Sequence, residues 1–345
     1  MDLKKRTRSF FEIVGGGANV PKKWEMFLKC FLAGLVCFGG GVLAADLTEA
    51  PPPWAYAVNP PDFKAPADDG SQRHVPGSDV TFTLTQARNS FLSPDWHPND
   101  HPPLPEVVAH GRKPDVFACG YCHRAEGTGG PENTSLAGLP FAYIVQQMAD
   151  FKSGVRGTSV PGRAPVTNMI ASAKAANAAE IEAAATYFSG LKPKQLIHVI
   201  ETNMVPKHRV YGWHMLPIAG SEKEPIGQRI LESPVDLERF ASRDSRVEFV
   251  AYVPAGSVQR GKELATTGGG GRTVQCAVCH GPELKGLGPI PPIAGRSPSY
   301  MIRQLWDFKH GARAGLYSPL MKPTVEHLAL EDMIALAAYV ASLAP

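Results

Sequence analysis

Two copies of the pattern Cys-x-x-Cys-His constrain this 345-residue chain more than any other feature. The copies are Cys119, Cys122 and His123, and Cys276, Cys279 and His280. Two thiols separated by two residues project from one side of a helical turn, so both can form thioether bonds to one porphyrin while the adjacent imidazole binds its iron. The two motifs therefore predict two covalently bound haem c groups, with His123 and His280 as proximal iron ligands.

Paired cysteines have three other uses in proteins: a zinc knuckle, a redox-active dithiol and a structural disulfide. A zinc site requires a second pair of ligands at a compatible spacing. A thioredoxin-like dithiol requires a βαβ context and has no need of the histidine. Neither context is visible in the sequence, which favours haem.

The N-terminal residues have the pattern of an export signal. A basic stretch that ends at Lys29 precedes an uncharged run from Cys30 to Leu43, and small residues follow before Asp46. We predict a signal peptide at residues 1–45 and a periplasmic protein. The uncharged run is short for a spanning helix, but an uncleaved N-terminal membrane anchor is the alternative.

Removal of residues 1–44 leaves 28 basic and 29 acidic residues. Such a nearly neutral chain lacks the positive charge that nucleic-acid binding requires, so we expect no nucleic-acid partner.

The chain repeats itself at an offset of 157 residues. The offset aligns the two motifs with each other, Asp150 with Asp307, and Arg156 with Arg313. Farther along it falls to 152, where Met169 aligns with Met321. Such self-similarity indicates that one module has been duplicated.

Each module is predicted to be helical, with a motif helix, a middle helix, a loop that carries the aligned methionine, and a last helix. Apolar residues at helical spacing place the middle helices at about 141–153 and 299–311, and the last helices at about 178–191 and 330–343. Lys152 with Arg156, and Lys309 with Arg313, either border a docking face or are solvated charges at helix ends, and the second interpretation is favoured. The modules span residues 106–193 and 256–345.

Two further segments complete the chain. Residues 46–105 are rich in proline, which prevents long helices, and are predicted to form an extended arm that is either wrapped on the first module or mobile. One strand is predicted in the arm, at residues 79–85. Residues 194–255 form a connector with strands predicted at 196–200 and 247–253 and turns at Pro206, Gly212 and Pro217.

The repeat also discriminates among the methionines. Three of them align with plain hydrophobic residues and are predicted to be packing residues: Met148, Met301 and Met333. Met169 alone aligns with another methionine, Met321, so these two are predicted to bind iron opposite the histidines. Among the histidines, His123 and His280 alone align with each other, which argues against bis-histidine ligation at both sites.

These residues resemble the tandem dihaem class I c-type cytochromes, in which two small cytochrome c domains are fused. The similarity includes the Pro-x-x-Ala-Gly sequence at Pro291–Gly295 and covers roughly residues 106–192 and 256–345. It implies an all-α fold of two class I cytochrome c domains, to which this chain adds the proline-rich arm and a partly β connector. It also implies that the carbonyl of Pro291, or of Thr134 in the first module, accepts a hydrogen bond from the proximal histidine.

The expected function is electron transfer in a respiratory chain by Fe(III)/Fe(II) cycling at two His/Met-ligated haems, without enzymatic activity. The expected partners are redox proteins, and association with a membrane respiratory complex is left open. One alternative is a dihaem cytochrome c peroxidase-like oxidoreductase, which needs an open or displaceable iron position. Another is the haem subunit of a dehydrogenase complex.

Overall fold

The computed structural model describes residues 49–345. The predicted signal peptide lies outside this part of the chain. Within these residues, no helix has both the length and the hydropathy that crossing a bilayer requires.

Helices account for both modules. Those of the first module are α2 Glu106–Ala109, α3 Cys119–His123, α4 Phe141–Ser153, α5 Ala164–Ala175 and α6 Ala178–Gly190, after α1 Leu84–Ala87 in the arm. Those of the second are α8 Ser257–Thr267, α9 Ala277–His280, α10 Pro298–Lys309, α11 Ser318–Val325 and α12 Leu330–Ser342, after α7 Leu237–Ala241 in the connector. The predicted middle and last helices are α4, α6, α10 and α12, each within two residues of its expected limits.

Local sequence explains where these helices start and stop. At the start of α6, the Asn177 side chain accepts a hydrogen bond from the Glu180 backbone N–H at 2.9 Å, and the Glu180 carboxylate accepts one from the Asn177 N–H at 2.8 Å. This reciprocal capping satisfies two backbone donors. Gly154 ends α4 with a φ of 81°, a left-handed conformation that glycine adopts without a steric penalty.

The prediction that both aligned methionines lie in loops was wrong. Met169 lies inside α5 and Met321 inside α11. Pro165 and Pro319 stand in the first turns of these helices, where proline costs no hydrogen bond. Proline therefore stands at the start of both helices and is compatible with them.

The connector contains all seven strands found in residues 49–345: β1 Ile197–Glu201, β2 Met204–Pro206, β3 His208–Tyr211, β4 His214–Pro217, β5 Lys223–Pro225, β6 Leu231–Pro234 and β7 Phe249–Val253. β7 pairs in parallel with β1 and antiparallel with β6, with Ile197 opposite Phe249. The two predicted strands, β1 and β7, are confirmed. A hairpin joins β3 to β4 through Gly212, as predicted, whereas Pro206 ends strand β2 rather than forming a turn.

The arm differs from its prediction. In place of a strand at 79–85, Phe82 makes one isolated bridge with Arg73, and α1 then begins after Thr83, whose hydroxyl caps the Gln86 N–H. The alternating residues at 79–85 have no neighbouring strand with which to pair. Capping by Thr83 therefore determines that a helix begins here.

The arm also packs on more than the first module. Tyr56 is buried in the core of the second module, where its hydroxyl donates a 2.7 Å hydrogen bond to Asp307. The Trp96 indole donates to the backbone oxygen of Ser242 in the connector at 2.8 Å. Ser93 lies against Gly120 of the first motif. The arm therefore holds the two modules and the connector together.

A close helix crossing in the second module leads to the first prediction. A Cβ atom on Gly261 of α8 would lie 1.9 Å from the backbone oxygen of Ala335 in α12. We expect Gly261→Ala to lower the free energy of unfolding by about 1–3 kcal/mol, because neither backbone can move without loss of packing. Urea denaturation measures the change.

Gly190→Ala is the control, because a Cβ atom at that helical glycine would meet nothing within 4 Å. It should leave stability unchanged or raise it by up to about 1 kcal/mol. An equal loss in both variants would contradict this account of the crossing.

The second prediction concerns the contact between Ser93 of the arm and Gly120 of the first motif. A Cβ atom on Gly120 would lie 2.2 Å from Ser93 Oγ, whereas the aligned residue of the second motif, Ala277, is exposed. Gly120→Ala should therefore displace the arm and speed its cleavage by protease near Ser93, because the arm must open to be cut. Ala277→Gly should leave the cleavage rate unchanged, and acceleration in both variants would contradict the contact.

Candidate functional site

All eight predicted site residues line one cavity of about 390 Å³. The first module contributes Cys119, Cys122, His123 and Met169, and the second contributes Cys276, Cys279, His280 and Met321. In each module the motif helix supplies the thiols and the imidazole, and α5 or α11 supplies the thioether. The structure thus brings together residues that are separated by as many as 202 positions in the chain.

Both motif histidines are oriented in the same way. His123 Nδ1 lies 2.8 Å from the backbone oxygen of Thr134, and His280 Nδ1 lies 2.8 Å from that of Pro291. A carbonyl oxygen can only accept, so Nδ1 carries the proton in each ring and the Nε2 lone pair is left for a metal. The two predicted carbonyl partners are therefore confirmed.

Burial holds both imidazoles neutral. It lowers the pKa of His123 and of His280, because the charged form loses its hydration. A neutral imidazole is the form that binds a metal ion.

The four motif cysteines are free thiols, and three of them lie in environments that disfavour ionisation. Burial raises the pKa of Cys119 to about 12 and that of Cys276 to about 11, and it also raises the pKa of Cys122. Redox-active dithiols have the opposite property, a lowered thiol pKa. The raised pKa values of these thiols therefore argue against a thioredoxin-like function.

Other histidines that lie near the modules are engaged elsewhere. His97 Nε2 is 3.1 Å from a carboxylate oxygen of Asp244, and His101 Nε2 is 3.0 Å from one of Asp95. Neither residue lines the cavity.

Five buried arginines also line the cavity, and sequence reasoning missed all of them as site residues: Arg156, Arg163, Arg296, Arg303 and Arg313. The interpretation of Arg156 and Arg313 as solvated charges was wrong, because their exposed fractions are 6% and 9%. Their exact alignment in the repeat, close to the aligned aspartates, was the signal available in the sequence.

Arg156 and Arg313 make reciprocal contacts across the two modules. Arg156 donates to the Tyr300 hydroxyl at 3.0 Å, and Arg313 donates to the Tyr143 hydroxyl at 2.9 Å. The backbones of the two arginines also form an antiparallel bridge. Tyr143 and Tyr300 are themselves aligned in the repeat, so the modules meet through the same surface on each side, as in a two-fold symmetric dimer.

The five guanidinium groups lack carboxylate partners: within residues 49–345, none of them forms a salt bridge. The Nε atoms of Arg163 and Arg296 are buried without a hydrogen-bond partner. Burial lowers the pKa of Arg163 to about 8 and that of Arg296 to about 10. Four carboxylates also line the cavity, but Glu180 and Glu132 pair with Arg112 and Arg124, so the five buried guanidinium groups are not balanced and the site favours an anionic ligand.

A haem c group fits these donors. Its two side-chain carboxylates would supply the missing negative charge, while the thiols and the imidazole Nε2 atoms supply covalent and iron attachment. Porphyrin would also complete the apolar interior, since the lining includes Ile144, Phe188, Leu305 and Leu336.

Comparison with known proteins agrees with this fit. The cytochrome c family model matches residues 258–344, which is the second module. The chain is 37% identical over 68 residues to cytochrome c-554(548) of Halomonas halodenitrificans, a match that covers 19% of this chain and 82% of that protein. Covalently bound haem c and electron transfer are properties of this family.

Longer relatives match more of the chain. The thiosulfate dehydrogenase electron acceptor of Thiomonas intermedia is 28% identical over 205 residues, 59% of this chain and 67% of that protein. The structure of thiosulfate dehydrogenase from Marichromatium purpuratum superposes with a TM-score of 0.44 and 25% identity over 66% of this chain. This chain spans only 37% of that protein.

The duplicated motifs, the oriented imidazoles, the family model and the sequence relatives lead to one assignment. The chain belongs to the dihaem class I c-type cytochromes.

Proposed function

We propose that this protein is a periplasmic electron carrier with two haem c groups, one at each motif, and with no enzymatic activity of its own. Bound haem supplies one-electron chemistry by cycling between Fe(III) and Fe(II). The observation that carries the proposal is the repeated arrangement of two thiols, a carbonyl-oriented imidazole and a thioether around one cavity.

The residues divide these tasks. Cys119 and Cys122 form the thioether bonds of the first haem, and Cys276 and Cys279 those of the second. His123 and His280 would hold the iron of each haem through Nε2, and Met169 and Met321 would each supply a sulfur ligand to it. The proposed domain limits are residues 1–45 for the signal peptide, 46–105 for the arm, 106–193 and 256–345 for the two cytochrome c domains, and 194–255 for the connector.

Methionine sulfur has a physical consequence for the reaction. A thioether stabilises the ferrous state, which raises the potential, and it occupies the position where a small molecule would react. Both effects suit a carrier and disfavour a dihaem peroxidase.

The proposed partners are redox proteins. Relatives named as electron acceptors of thiosulfate dehydrogenase support a dehydrogenase as the electron donor. Passage of the electrons to a membrane respiratory complex is part of the same proposal.

Replacement of the ligands tests the proposal. Met169→Ala and Met321→Ala should each abolish the sulfur-to-iron charge-transfer absorption of one haem and lower the potential of that haem, because the thioether that favours Fe(II) is lost. Spectroelectrochemical titration resolves the two haems.

Met148→Leu and Met301→Ile are the matched controls, because the repeat places plain hydrophobic residues at the aligned positions. Both should leave the spectrum and the potentials unchanged. If neither alanine variant alters its own haem, the ligand assignment is wrong.

The peroxidase alternative has its own test. Wild-type protein that an excess of a chemical electron donor keeps reduced should show no steady-state turnover of hydrogen peroxide, since a methionine ligand at each iron would leave no position for peroxide. The Met321→Ala variant should consume peroxide measurably, because it opens one position. Turnover of the wild type at enzymatic rates, about 1 s⁻¹ or faster, would replace the carrier with an enzyme.

A further inference from the structure

The loop that accepts the hydrogen bond from the proximal histidine differs in sequence between the modules. We call residues 131–138 the first loop and the aligned residues 288–295 the second loop. The second loop contains Pro289, Pro291 and Pro292, whereas the aligned positions 132, 134 and 135 of the first loop hold no proline. Because proline fixes φ, the sequence of the second loop makes its backbone rigid, and the first loop lacks this restraint.

Two arginines of the second module hold the first loop. They are Arg296, which follows the second loop directly, and Arg303 in α10. The acceptors are backbone oxygens of the first loop: Ser135 at 2.9 Å and Ala137 at 3.2 Å from Arg296, and Pro131 in contact with Arg303. The first loop is therefore restrained by hydrogen bonds from the other module.

These contacts flank the carbonyl group that orients the first imidazole. Thr134, whose oxygen lies 2.8 Å from His123 Nδ1, stands between the oxygens that the two arginines hold. The exposed fractions of Arg296 and Arg303 are 5% and 4%, so water has little access to compete for these hydrogen bonds. A charged donor in such an environment makes strong hydrogen bonds.

The support runs in one direction. Arg296 aligns with Leu139, which has no donor in its side chain, and Arg303 aligns with Gln146, whose amide donates to Asp150 of its own helix at 2.8 Å. In the part of the chain that the structure describes, no hydrogen bond from residues 106–193 reaches the second loop. The second module thus restrains the first loop, and its own loop is restrained by proline.

We propose that Arg296 and Arg303 are positioning residues for the first haem. Through them the second module supplies the rigidity that the first loop lacks, and thereby sets the potential of the first haem. A firm hydrogen bond from His123 Nδ1 makes Nε2 a stronger electron donor to iron, which favours Fe(III). Loosening of the first loop therefore raises the potential. This inference rests on the proposed function.

Arg296→Lys in the full chain with both haems tests the proposal. Lysine keeps the positive charge, but its single ammonium group does not reproduce the planar pair of donors that spans two oxygens. Spectroelectrochemical titration should show the first haem shifted toward Fe(II) at least about threefold, a rise of about 28 mV at 59 mV per tenfold change. The second haem should be unchanged. The transition that Met169→Ala displaces identifies the first haem.

Arg229→Lys is the matched control. Arg229 also donates to two backbone oxygens, those of Ile226 and Pro225, each at 2.7 Å, but it lies in the connector and does not line the cavity. This variant should leave both potentials unchanged. An unchanged or lowered potential of the first haem in Arg296→Lys, an equal shift of both haems, or the same shift in the control would overturn the proposal.

A second substitution tests the role of the loop itself. Thr134→Pro added to Arg296→Lys gives the first loop the proline that Pro291 supplies in the second, and it keeps the carbonyl group. The potential of the first haem should return to the wild-type value, and failure to return would overturn the positioning role. If Arg296→Lys does not fold, Arg303→Lys repeats the test on the other side of Thr134 and must shift the first haem in the same direction.

A reductive titration of the wild type separates this inference from the proposed function. The wild type should take up two electrons per chain, one at each haem. Failure to do so overturns the carrier function itself. Uptake of two electrons, with potentials that Arg296→Lys and Arg303→Lys leave unaltered, overturns only the positioning role.

Discussion

The reciprocal contact between Arg156 and Arg313 is the interaction on which the rest of the structure depends. Each guanidinium leaves its own module to reach a tyrosine of the other, and the two backbones pair at the same place. Both charges are buried and lack carboxylate partners within residues 49–345, which is unfavourable unless a bound anion balances them. The same contact therefore joins the modules and places two buried positive charges in the wall of the cavity.

This arrangement explains why short helices can hold so large a site. A module of fewer than one hundred residues buries a limited apolar core, and here much of the apolar lining faces the shared cavity. Porphyrin supplies the missing interior, and its covalent attachment keeps it in place. Apolar packing and charge balance in the cavity therefore both depend on binding of the cofactor.

The arm and the connector turn a symmetric pair of modules into an asymmetric protein. Phe91 and Arg243 cover aromatic residues of the first module, while the aligned valines of the second module are exposed. Tyr56 anchors the start of the arm in the core of the second module. The aligned residues beside the two motifs therefore differ in exposure, although the motifs themselves are the same.

The sequence by itself determined the two motifs, the duplication and the limits of α4, α6, α10 and α12, because thioether spacing and helical periodicity are properties of neighbouring residues. It also singled out Met169 and Met321 by alignment, but it predicted loops where the structure has helices α5 and α11. Only the tertiary structure decided that Arg156 and Arg313 are buried. Burial and charge depend on partners more than 140 residues away, and no local pattern encodes that contact.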